Sequence, residues 1–313
     1  MATSNYPNGF SNGVFVRGVP LTVAHPGQVF FVNNSSVLAP RGVNGSDGNP
    51  GTYQKPFSTI NGAVAQCTAG RGDIIFVMPG HAETISAAAG VDLSKSGIAL
   101  IGLGVGALRP TLNLTATAST VAMSAANCSM KNILITGGID AIVKAVLVSA
   151  ADCTIEGCEL RDVTGQMTLG VLTTAAANRL KILKHIHKGD TAAGTDAAIR
   201  LVGGTEIEIT AEVIDGNFAV GAIDIATTAT TNLYVHDMGR VYTRNSADII
   251  LVDTITASTG QIGPNINGRL TDNAANITEA FTGATFVYMQ PLNLVNLAGE
   301  SSMQSNITAS TDA

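Results

Sequence analysis

The chain has 313 residues, a net charge of −6, 45% apolar and 13% charged residues, and 34 glycines with no tryptophan. That balance excludes a disordered polar chain and an ordinary helical domain rich in Glu, Lys, Leu and Arg. No Lys/Arg cluster gives the footprint of nucleic-acid binding, no apolar run is long enough to span a bilayer, and the opening MATSNYPNGF lacks the regions of a secretory signal, so neither nucleic acid nor membrane is an expected partner.

Residues 1–50 read as an N-terminal arm or small β cap. Asn8-Gly9, Asn12-Gly13 and Asn44-Gly45 turns surround two short apolar runs, 13–19 and 29–32. Next, Ser58 or Thr59 can N-cap a short helix with Ile60, Ala63, Val64 and Cys67 on one face. Asp73 then opens an apolar strand, 74–78, expected to be buried and ended by Pro79-Gly80. A helix at this place would plug the open first coil of a solenoid.

From there the chain repeats. Met130, Ile155, Ile182, Ile209, Val235 and Ile262 follow one another at steps of 25, 27, 27, 26 and 27. Two residues earlier runs a parallel column, Cys128, Cys153, Leu180, Ile207 and Leu233. A second strand in each repeat is anchored at Val121, Val146, Leu172, Ile199, Ile225 and Leu251. Gly137, Asp162, Gly189 and Gly216 form a turn column, where left-handed or tight-turn backbone is expected. Short strands alternating in and out, as in Ala198-Ile199-Arg200-Leu201, cannot bury an apolar face alone; stacked about 4.8 Å apart they make one continuous core. The pattern predicts an all-β, single-stranded, right-handed parallel β-helix of about 26 residues per coil over residues 51–280. Eight or nine coils would make a prism about 40 Å long. Residues 281–313 leave the repeat as a C-terminal extension. The four cysteines, Cys67, Cys128, Cys153 and Cys158, lack a zinc spacing and are expected as free, buried thiols.

The string PFSTINGAVAQC…GDIIFVMPGHAET, followed by SGIALIGLG, resembles the N-terminal opening of pectin-lyase-like β-helix proteins over roughly residues 47–104. The whole chain, with its leader GVFVRGVPLTVAHPGQVFFVNN, resembles the β-helical decoration and head-associated proteins of tailed bacteriophages. The first resemblance implies the fold; the second implies a structural role in a virion.

Residues that could carry chemistry each have a structural alternative. Asp162, Asp190 and Asp215, with Arg161 and Lys188 beside them, could form the outer-face carboxylate cluster of a polysaccharide lyase or hydrolase, or simply close turns. Sugar grooves also favour aromatic platforms, and the chain has only five Tyr. His185-x-His187 with Asp190 could hold a metal, yet His187 aligns with Ile135, Leu160 and Ile214 in the repeat, which favours a structural histidine. Arg71-Gly72-Asp73 matches an integrin-binding triplet and also sits where a turn must enter a strand. Asn113 and Asn306 head Asn-x-Ser/Thr triplets common in so Asn-, Ser- and Thr-rich a chain, and His25, His81 and His236 have no evident nucleophile partner.

No catalytic, cofactor-binding or metal-ligating residue is therefore assigned. The expectation is a non-enzymatic virion protein, made in the host cytoplasm and placed on the capsid exterior. It would decorate or cement a phage head as a homotrimer contacting the major capsid protein or other virion proteins. The alternative is a tail-fibre or tailspike β-helix module that binds or cleaves host surface polysaccharide.

Overall fold

The computed structural model describes residues 15–16, 19–20, 27–35, 45–162, 167–189, 194–244, 252–254, 257–270, 285–289, 291–295 and 301–303. The fold is an all-β parallel solenoid of about 7 turns, with a coil length of about 27 residues. The turn count is slightly below the eight or nine expected.

Each coil contributes three strand positions. In one central coil they are Ser129–Lys131, Leu134–Gly137 and Val146–Val148. The following coil keeps the first two apart, as Thr154–Glu156 and Glu159–Arg161, and the three after it fuse them into one long strand, Lys181–Lys188, Glu208–Gly216 and Leu233–Thr243. The third positions stack into a separate sheet of seven strands. Nearly all pairing is parallel, each strand bonding to its counterpart one coil away, which is why no single coil could be stable alone.

The first-position column lies in the register expected. Met130 pairs with Ile155, Ile155 with Ile182, Ile182 with Ile209, Ile209 with Val235, and Val235 with Ile262. The ladder extends back through Leu100 and Ile75 to Phe30. All these side chains are buried. Each is worth about 1.5–3 kcal/mol of burial, offset by its ordering entropy. Val29–Val32 pairs with Ile74–Val77 and is a rung of the solenoid rather than free-standing. At the other end Thr285–Tyr288 and Leu292–Val295 pair in parallel with the coil before them, and Ser301–Met303 adds antiparallel to the last strand.

The third-position column departs from the expected anchors. Val146 pairs with Val171, not Leu172, and Ile199 pairs with Ile223, not Ile225. Leu172 faces outward and is half-buried, while Leu251 lies outside the described residues. The turn column is also corrected. Gly137, Asp162, Gly189 and Gly216 do stack, but none has a positive φ. They continue the second-strand ladder. A side chain is excluded at Gly216 because a Cβ there would come 2.8 Å from the Phe218 ring. Left-handed backbone instead recurs just before the first strand, at Asn127, Asp152, Arg179, Glu206 and Asn232, with φ between 53° and 60°.

The N-terminal end is plugged by α1, Ile60–Gln66, the one helix longer than a single turn among the described residues. Thr59 caps it, accepting from the Gly62 amide, and Ile60, Ala63 and Val64 are buried as expected. The strand after it is Ile74–Val77, with only Ile75 and Val77 fully inside; the expected all-buried run is half-exposed because Ile74 and Phe76 face outward. Three carboxylates stitch the plug. Asp47 accepts from the amides and hydroxyls of Ser58 and Thr59. Asp73 accepts from the Gln28 and Thr68 amides and from Arg71. Glu83 accepts from the Ile60 amide and lies 3.2 Å from the His81 ring.

Candidate functional site

The outer surface of the two long strand positions is where polar side chains gather. Register places side chains of successive coils next to each other, so charges stack in columns. On the first position, Lys131 pairs with Glu156 at 2.9 Å, Arg179 with Asp152 at 2.6 Å, and Lys181 with Glu208 at 2.8 Å. His236 stacks on Tyr234 at 3.9 Å between centroids and lies 2.8 Å from Asp237 and 3.3 Å from Glu208. A shallow recess of about 440 Å³ runs between Asp152, Thr154, Arg179, Lys181, Glu206 and Glu208. Toward the N-terminus the same columns turn apolar: Phe31, Phe76 and Ile101 share one column, and Phe31 meets Tyr53 at 5.5 Å. Val29 and Tyr53 are 45% and 55% exposed, so this end of the face presents bare apolar surface.

On the second position, Glu159 is almost buried and is ringed by cations. Arg109 reaches it at 2.9 Å, Arg161 at 2.7 Å and Lys188 at 3.1 Å. Burial alone would raise its pKa; the hydrogen bonds and charges of Arg161 and Lys188 outweigh that and hold it below the ordinary value. A recess of about 320 Å³ beside it is lined by Gly106, Ala107, Arg109, Thr111, Leu134 and Arg161.

The sequence candidates can now be placed. Asp162 is buried at the end of the second-position strand, accepting from the Met167 amide at 3.0 Å and the Thr195 hydroxyl at 2.6 Å. Asp215 is held by Arg244 through bonds of 2.7 and 3.0 Å. Arg161 and Lys188 converge on Glu159, which the sequence reading had not singled out. Asp190, His25 and Asn306 lie outside the described residues. His185 and His187 both point into the core at 1% and 0% exposure, and His187 is in register with Leu160 and Ile214. No ring nitrogen of either has a hydrogen-bond partner among the described residues. Burial pushes His185 down to about 3 and His187 to about 4, so both are neutral near pH 7. Among the described residues no group of three or more His, Cys, Asp or Glu side chains could hold a metal.

In the Arg71-Gly72-Asp73 triplet the Asp73 side chain is fully buried and ion-paired to Arg71 at 2.7 Å, so it serves the turn. Asn113 sits within the strand Thr111–Leu114. All four cysteines are free and buried, and burial raises Cys67, Cys153 and Cys158 to about 11. Among the described residues no helix is long and apolar enough to cross a membrane.

No protein-family model matches the chain. No curated protein matches it either. Among solved structures, a rhamnogalacturonan lyase aligns with 15% identity and a TM-score of 0.38. The alignment covers 86% of this chain and 66% of that one. A likeness at that level carries no functional inference.

Proposed function

We propose that the chain is a non-enzymatic structural protein of a phage virion, a decoration or cement protein on the capsid exterior that acts as a homotrimer against the major capsid protein. The observation that supports it most is the employment of the outer carboxylates. Asp152, Glu159, Glu208, Asp215 and Asp224 are each bonded to a cation, in every case with at least one on a neighbouring coil. A general acid needs a carboxyl whose pKa is raised toward the working pH; Glu159, almost buried and ringed by three cations, is shifted the opposite way. These charges tie coil to coil, which is what a load-bearing coat needs. The bare apolar surface around Phe31, Tyr53 and Phe76 suits contact with another protein rather than solvent.

The test is addition of purified protein to capsids that lack it. Saturable binding, with a solution mass of three chains, is expected. A monomer that fails to bind, together with release of reducing ends from host capsular or O-antigen polysaccharide, would replace this reading with the tailspike one.

A further inference from the structure

The second-position face carries a charge opposite to that of the chain. Along it, register stacks Thr136, Arg161, Lys188, Asp215 and Tyr242 in one column and Leu134, Glu159, Ile186, Val213 and Arg240 in the next. With Arg109 and Arg244 flanking them, the described residues of this face hold five cations against two carboxylates, in a chain of net charge −6. Glu212 stands at the bend beside it. The two carboxylates are consumed internally: Glu159 by Arg109, Arg161 and Lys188, and Asp215 by Arg244 and Arg240. Arg161, Lys188 and Arg240 remain 47%, 50% and 63% exposed, with donors left over. Leu134, Ile186 and Val213 lie between them, half-buried. At one end the loop 103–109 projects Val105, 80% exposed, beside the recess that Arg109 and Arg161 line. The stripe crosses six coils, a span of about 24 Å.

We propose that this stripe docks an acidic segment of a partner protein: an extended stretch whose carboxylates meet Arg161, Lys188 and Arg240 and whose apolar residues cover Leu134, Ile186 and Val213. Charge complementarity selects the occupant, since a net-cationic stripe with apolar spacing matches alternating carboxylate and aliphatic side chains. The inference rests on the protein-contact reading above and adds to the apolar end of the first-position face a second contact face, with the chemistry of what it meets.

The experiment uses the full-length protein and a fluorescent peptide of alternating Glu and Val, with a Gln/Val peptide as control. The acidic peptide should bind and the control should not. Raising the salt from about 50 mM to about 300 mM should weaken binding severalfold. The triple variant Arg161→Gln/Lys188→Gln/Arg240→Gln should bind at least roughly tenfold more weakly, while Lys131→Gln/Arg179→Gln/Lys181→Gln on the neighbouring face should change affinity less than about twofold. Circular dichroism checks that each variant is folded, and Lys188→Gln alone gives a milder test should the triple variant fail. Equal binding of both peptides, salt-independent binding, no binding, or tighter binding of a short DNA oligonucleotide would each overturn the proposal. If the triple variant still loads onto capsids as the parent does, the capsid role stands and this docking face falls. If the peptide binds as described and capsids do not, the reverse holds.

Discussion

Acidification should loosen the central coils well before carboxylates protonate, through His185 and His187. Both rings are sealed in the core without hydrogen-bond partners, and burial lowers their pKa values from 6.5 to about 3 and about 4. In the unfolded chain they titrate near 6.5, so between that value and about 4 the unfolded state binds up to two more protons than the folded one. Stability is therefore complete above pH 6.5 and is lost as pH falls toward the folded values. Two such groups give a limiting slope of about 2.7 kcal/mol per pH unit, or roughly 4 kcal/mol between pH 7 and pH 5. Guanidinium unfolding followed by circular dichroism at pH 7, 6 and 5 measures this. The variant His185→Leu/His187→Leu should flatten the pH dependence over that window, and should be no less stable at pH 7, because it removes polar atoms that bond to nothing. A parent protein whose stability is level from pH 7 to 5, or a double variant that keeps the slope, would refute the sealed, neutral pair.

Ile155→Ala should cost about 2–5 kcal/mol, since the side chain is 2% exposed in the middle of the core column; chemical denaturation reads it, and a loss below about 1 kcal/mol would place the residue outside a packed core. Asp73→Ala should release the N-terminal plug, leaving the Gln28 and Thr68 amides unpaired, with a loss of about 3 kcal/mol seen as faster hydrogen exchange in Val29–Val32. The Asp73 pKa is lowered, so this contribution is present above the ordinary carboxylate range and fades as pH falls below 3.8. Gly216→Ala should destabilise by about 1–3 kcal/mol because its methyl meets the Phe218 ring, measured as a lower melting temperature, whereas Gly157→Ala, which meets no atom within 4 Å, should cost about 1–2 kcal/mol through its positive φ alone.

The fold was legible because its first-position column obeys one rule. Cys128, Cys153, Leu180, Ile207 and Leu233 and the residues two places on all face inward, and nothing interrupts the spacing. The third-position column was less legible because its outer face is apolar where the anchor slips: Leu147 and Leu172 are half-buried on the outside, so Val171 and Leu172 carry the same sequence signal. At Ile223 and Ile225 both residues face inward, and alternation cannot say which pairs with Ile199. The left-handed column escaped notice because Arg179 and Glu206 occupy it, residues with no preference for that backbone, while glycines at the strand ends drew attention to the wrong turn. The ring around Glu159 needs Arg109, about 50 residues away in sequence, and only the three-dimensional register brings it there. Arg161 and Lys188 were visible as candidates, but as neighbours of turn aspartates rather than of Glu159.

The most direct measurement of the central claim is reconstitution: purified protein added to phage capsids that lack it, followed by sedimentation and imaging of the particles. The expected result is saturable density on the outer shell in units of three chains. A protein that leaves bare capsids undecorated while cleaving or tightly binding host surface polysaccharide would contradict it.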